Sequence, residues 1–163
     1  MIRLTSLTLA LALSLTAFCA QADWKSDMKS KAKGAAAQTA QEQLGLPLAS
    51  PAGAKAYIIN LKEGDTVSSP VLVQFGLKGM GIAPAGTNVE NTGHHHLLVD
   101  DPQVDLTQPL PMTEQIKHFG KGQTETQLEL KPGKHTLQLV FADYKHQPHN
   151  PAVVSEKLSF TVK

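Results

Sequence analysis

Three consecutive histidines, His94-His95-His96, open the apolar run Leu97-Leu98-Val99 directly after Asn91-Thr92-Gly93. On an extended strand successive side chains point to opposite faces, so His94 and His96 share one face and His95 takes the other. Residues two apart on a strand lie about 6.5–7 Å apart at their Cα atoms, within reach of a single metal ion or anion. His118 lies in Gln115-Ile116-Lys117-His118-Phe119-Gly120, and His146 and His149 in Asp143-Tyr144-Lys145-His146-Gln147-Pro148-His149-Asn150-Pro151. Pro148 and Pro151 stiffen that last stretch. Neutral imidazoles suit Cu(II), Zn(II) and Ni(II). No spacing matches a zinc finger or an HExxH helix, so the signal rests on these separated strings meeting in space.

The elements that would bring them together read as all-β from Ala54 onward. Ala56 to Leu61, Val71 to Leu77, His94 to Val99, Thr124 to Leu130, Lys134 to Asp143 and Val153 to Val162 are strand-length apolar runs separated by turn residues. Val71, Val73, Phe75 and Leu77 alternate cleanly, as do Leu137, Leu139 and Phe141, so each strand is expected to bury one face. Gly79 to Asn91 reads as a long loop, and Asp101 to Pro111 as an irregular crossover. The pattern predicts an immunoglobulin-like antiparallel β-sandwich without inter-sheet disulfide or core tryptophan, with a small barrel as the alternative. Labelled A, B, C, E, F and G, the strands put the B–C loop, the segment entering E and the F–G loop at one pole. His94, His96, His118, His146 and His149 are therefore the expected metal ligands. His95 falls outside by parity, although parity leaves open which face of this strand turns to the core. His135, at the opposite pole, is expected to be structural and bonded near the E–F turn, with Asp100 as its partner.

The 163-residue chain is long enough for one domain and an appendage. Its 15 Lys and Arg against 14 Asp and Glu carry no nucleic-acid footprint. Residues 1–22 have the outline of a cleaved signal peptide: Arg3, an apolar stretch from Leu4 to Phe18, and Ala20-Gln21-Ala22 as cleavage signal. Phe18 before Cys19 argues against a lipid anchor. Cleavage after Ala22 would give a periplasmic or secreted protein with no transmembrane segment and no cysteine, so that metal ligands must be His, carboxylate or Met. Residues 23–44 are Ala-, Lys- and Gln-rich, with Trp24, Met28, Ala32 and Ala36 at helical spacing, and predict a thin solvated helix or a docking helix anchored by Trp24. Gly45 ends it, and residues 45–53 read as a linker to the domain at 54–163.

With these residues laid out, the body resembles a bacterial exported family known as domain of unknown function 4399. The resemblance runs from Ala54 to Val162 in five ordered strings: Gly64 to Pro70, Glu90 to Asp100, His118 to Thr124, Pro132 to Leu139 and His146 to Glu156. It implies an envelope or periplasmic location and makes the histidine strings the family's signature. It implies no activity.

The leading expectation is a periplasmic or envelope binding module with a histidine-rich site for copper, zinc or nickel and no organic cofactor. Met80 is a candidate soft ligand, and Met112 is too loosely placed to count. The alternative is a non-metal interaction module gripping a protein or envelope ligand through the same loops. A metal-assisted enzyme would need an open metal position and a general base such as Glu90 or Asp143, neither of which the sequence singles out. Imidazoles with ordinary pKa values near 6.5 would lose metal in mild acid.

Overall fold

A computed structural model describes residues 17–163, with side chains from Trp24 onward. The predicted signal peptide falls largely on residues 1–16, outside the described residues. The chain separates into two compact units, one ending at Ala37 and the other running from Gln38 to Lys163. The first contains most of helix α1 (Ala17–Gln43), on which Trp24 and Met28 are exposed. No helix among the described residues is long and apolar enough to cross a membrane. The helix ends where Gly45 takes a φ of 65°. The Gly45 N–H donates to the Glu42 carbonyl at 3.2 Å and the Leu46 N–H to Gln41 at 2.9 Å, a Schellman closure that only a left-handed residue allows without strain.

From Lys55 onward the second unit is all-β and built from two sheets. Strands β1 (Lys55–Ile58), β3 (Val71–Lys78) and β7 (Glu125–Leu128) form an antiparallel three-stranded sheet. The larger sheet runs β2 (Thr66–Val67), β10 (Leu158–Val162), β8 (Gly133–Ala142), β5 (Thr92–Val99) and β4 (Gly81–Ile82). To it are added β6 (Ile116–His118), paired with β5, and β9 (Pro148–Val154), paired with β8. The two sheets share one cluster, in which Val71, Val73, Phe75 and Leu128 meet Leu97, Leu137, Leu139, Phe141 and Phe160. That is the sandwich-like arrangement the alternation predicts, since each contributing strand offers one apolar face. Parallel pairing of β2 with β10 and of β4 with β5 goes beyond the purely antiparallel sandwich expected.

Two expected segments differ. The closing strand, read as one run from Val153, is two: β9 starts at Pro148 inside the expected F–G loop, and the strand breaks at Ser155-Glu156-Lys157 before β10. Prolines and polar residues masked β9, while β8 is long enough to pair with β10 along its first half and β9 along its second. Ser155 bridges the break: its N–H donates to the Leu139 carbonyl at 2.9 Å and its Oγ accepts the Leu139 N–H at 2.8 Å. The stretch read as a linker is tied to β9 instead. Asn150 N–H donates to the Leu48 carbonyl at 2.8 Å, Ser50 N–H returns a bond to Asn150 at 3.3 Å, and Leu48 is buried.

Strand β5 is buried on both faces. His95, Leu97 and Val99 face the inter-sheet cluster; Leu98, with His94 and His96 of the same parity, faces outward. The outward face is roofed by the irregular segment after β5, where Val104, Leu106 and Leu110 pack with Leu98, Ile116, Val140 and Ala142. Because Leu97 is fully buried, Leu97→Ala should cost about 2–5 kcal/mol of unfolding free energy. Leu72→Ala, on the exposed face of β3, should cost about 0.5 kcal/mol or less. Urea denaturation of the two variants checks the assignment of faces.

Candidate metal centre

Strand β5 is held between β8 and β6, and the register decides what His94 and His96 meet. His96 lies opposite Val140 on one side and His118 on the other, and His94 lies opposite Ala142. Directly paired residues share a sheet face, so His94, His96 and His118 emerge together on the outward face. Gly93 makes the close β5–β8 approach possible: a Cβ there would run into the Ala142 carbonyl. Gly120 does the same for His118, since a Cβ at that position would overlap the imidazole. The purpose of Gly93 is not legible in the sequence, because its contact is with the distant Ala142, whereas Gly120 meets a ring only two residues before it.

His146 arrives from the turn between β8 and β9. It has a φ of 68°, a left-handed conformation that non-glycine residues rarely adopt. The turn is held by Asp143, whose Oδ1 accepts the N–H of Lys145 at 2.7 Å and of Gln147 at 3.0 Å. The His146 N–H donates to the Asp143 carbonyl at 3.0 Å, and its own carbonyl accepts the Leu110 N–H at 2.9 Å. The turn and the segment covering the outward face therefore fix the His146 backbone from both sides.

The result is a compact group of four imidazoles. One ligand nitrogen from each of His94, His96, His118 and His146 lies within 4.8 Å of the others. All six ring pairs have centroids between 4.7 and 5.8 Å apart. The Nε2 atoms of His118 and His146 approach to 3.1 Å. Tetrahedral nitrogens bound to zinc at about 2.0–2.1 Å would stand roughly 3.3 Å apart, so that pair already has the spacing of neighbouring ligands. His94 and His96 are fully buried, whereas His118 and His146 are half-buried. Neither ring nitrogen of His94 or of His96 meets a hydrogen-bond partner among the described residues. A buried imidazole ordinarily satisfies at least one nitrogen, and leaving both unpaired is costly.

Electrostatics keep His94, His96 and His118 ready to donate lone pairs. Burial pushes the His94 imidazole down to about 4, with His118 and His146 adding in the same direction. Burial takes His96 to about 3, reinforced by His94 and His118. His118 is lowered by burial and then by His146. The sequence-based expectation of ordinary histidine pKa values is corrected here for His94, His96 and His118: a shared, dry location disfavours each imidazolium.

The other histidines divide as follows. His149, the fifth expected ligand, is buried on β9 outside the group of four, its ring stacked on Phe141 at 6.0 Å and 16°. Its pKa is lowered by burial, against the opposing pull of Asp143 and of the Phe141 and Thr92 backbone. His95 lies in the inter-sheet core between Phe75 and Phe141, with centroids at 5.3 and 5.1 Å. Burial alone lowers it to about 4. His135 takes the expected structural role: Nδ1 faces both Asp100 carboxylate oxygens at 3.0 and 3.1 Å, and Nε2 faces the Lys131 carbonyl at 2.8 Å. Met80 packs against the inter-sheet cluster, while His94 and His96 project from the opposite face of β5.

Residues 73–163, which include all seven histidines, match the family described as Domain of unknown function (DUF4399). The chain belongs to that family. The match begins inside β3, so the Gly64 to Pro70 string of the sequence resemblance precedes it. No curated protein and no solved structure matches the chain.

Two outcomes follow. Asp143→Ala removes the acceptor for two turn amides and should cost roughly 1–3 kcal/mol, whereas Asp143→Asn keeps an oxygen there and should cost less; guanidinium denaturation compares them. Without metal, the unfolded chain takes up protons on these histidines as pH falls below about 6.5, while folded His94 and His96 resist to about 4 and 3. The unfolded state thus binds more protons throughout that window, so stability should fall steadily from pH 6.5 toward 4. Melting temperature against pH, with chelator present, measures it.

Proposed function

We propose that this protein is an exported, envelope-located metal-binding module rather than an enzyme, holding one copper, zinc or nickel ion on His94, His96, His118 and His146. One observation carries the reading: four imidazoles converge, and the two deepest leave every ring nitrogen unpaired. A metal ion would convert that unfavourable burial into bonds. The location rests on the signal-peptide outline of residues 1–22. A domain without cysteine after Ala22 suits an oxidising compartment, where imidazole ligation does not depend on a reduced thiol.

The neutral donor set favours ions of intermediate softness and disfavours magnesium or calcium, which prefer oxygen ligands. The test is metal stoichiometry and affinity for the chain prepared without a histidine tag. About one Cu(II), Zn(II) or Ni(II) per chain is expected, with a raised melting temperature because only the native state assembles the ligands. His118→Ala and His146→Ala, at the half-buried positions, should each weaken binding by more than the roughly 10–100-fold typical of losing an outer-shell partner. His149→Ala should leave the stoichiometry unchanged. Absence of uptake with all three ions would overturn the proposal and favour an interaction module built on the same loops.

A further inference from the structure

The four ligands bring no negative charge. Each is an imidazole, which binds a metal as a neutral donor, and the converging group contains no carboxylate. Asp143 is the one buried carboxylate among the described residues, and its Oδ1 is already bound to the Lys145 and Gln147 amides. Glu90 is engaged elsewhere, 3.5 Å from the Asn91 amide nitrogen. A divalent ion seated here would keep its full charge in a poorly solvated place, a cost that a bound anion offsets.

The site is also asymmetric. His94 and His96 close it from the sheet side with no exposure, while His118 and His146 form its half-buried outer rim. Beside the His118 ring lies Gly120, where a side chain would overlap Cε1 and Nε2, and the Ala85 Cβ is 3.1 Å from the same position. The Ala85 N–H bonds the Gly120 carbonyl at 2.8 Å, which fixes these two small residues against each other. The His118 side of the rim is therefore lined by two small residues, which leave room there for a ligand of the ion.

We infer that the metal ion in this site carries one exchangeable small anion (hydroxide, halide, azide or a carboxylate) on its outer side, beside the rim that His118 and His146 form. This rests on the metal-binding reading and adds that the centre is open and anion-receptive rather than closed. A site of this kind could capture a small anionic ligand, or hand its metal to a partner that supplies an anionic donor.

The probe is azide, titrated in chloride-free buffer into the full chain loaded with Co(II), whose visible absorption reports its coordination. Co(II) content is measured first, and failure to load overturns the metal-binding reading itself. With about one Co(II) bound, a saturable spectral change reaching one azide per metal supports the inference. A loaded protein whose spectrum stays fixed at high azide overturns it, because the four histidines then close the coordination sphere. Ala85→Leu, at a position outside the four ligands, supplies the second arm. If it loads Co(II) normally and melts like the parent, azide affinity should fall roughly tenfold or more, within the range that a small change in pocket volume produces. Unchanged azide affinity in that variant would overturn the placement of the anion beside Ala85 and Gly120.

Discussion

The central constraint on the structure is that three consecutive imidazoles are buried on a strand that has protein on both faces. Imidazole is a poor core residue unless its nitrogens are bonded, and none of the ring nitrogens of His94, His95 and His96 meets a partner among the described residues. What keeps β5 in this position is its backbone and its leucines. The strand pairs with β8 over six residues, adds β6 along its other edge, and places Leu97 and Val99 in one cluster and Leu98 in another. The apolar half of the strand thus holds the histidine half in a dry place, and dryness keeps the imidazoles unprotonated.

Secondary features make sense in relation to that strand. Gly93 lets the β8 backbone come close, Gly120 leaves room for the His118 ring, and the Asp143 carboxylate holds a turn in which His146 adopts a left-handed backbone. At the far end, Asp100 closes the same strand pair: its N–H bonds the Thr136 carbonyl at 2.9 Å, and its carboxylate receives His135. One end of the β5–β8 pair is therefore satisfied by a conventional carboxylate–histidine contact, and the other carries imidazoles without such a partner. That contrast within one strand pair is the strongest physical argument that the four-histidine end has a different purpose.

Family membership does not supply the chemistry, because the family is described only as a domain of unknown function. Donor type, convergence and unsatisfied burial, all properties of this chain, are what favour a metal there. The same reasoning separates the histidines by role: four converge, His135 is satisfied structurally, and His95 and His149 pack against the Phe141 ring.

The sequence by itself determined the local geometry. Alternation specified β strands and their buried faces, Gly45 ended the helix, and the two-residue spacing of His94 and His96 placed them on one side of a strand whatever its neighbours. It also reached His118 and His146 by topology, and the Asp100–His135 pair. Only the tertiary structure decided which face of β5 carried the site, because Leu97, Leu98 and Val99 make both faces apolar and parity is then silent. It alone separated His149 from His146: their spacing of three crosses from a left-handed turn residue into β9, whose register with β8 sets where the ring goes. The lowered pKa values of His94, His96 and His118 were equally beyond the sequence, since a pKa shift requires knowing which charges and how much water surround each ring, and those are set by residues distant along the chain.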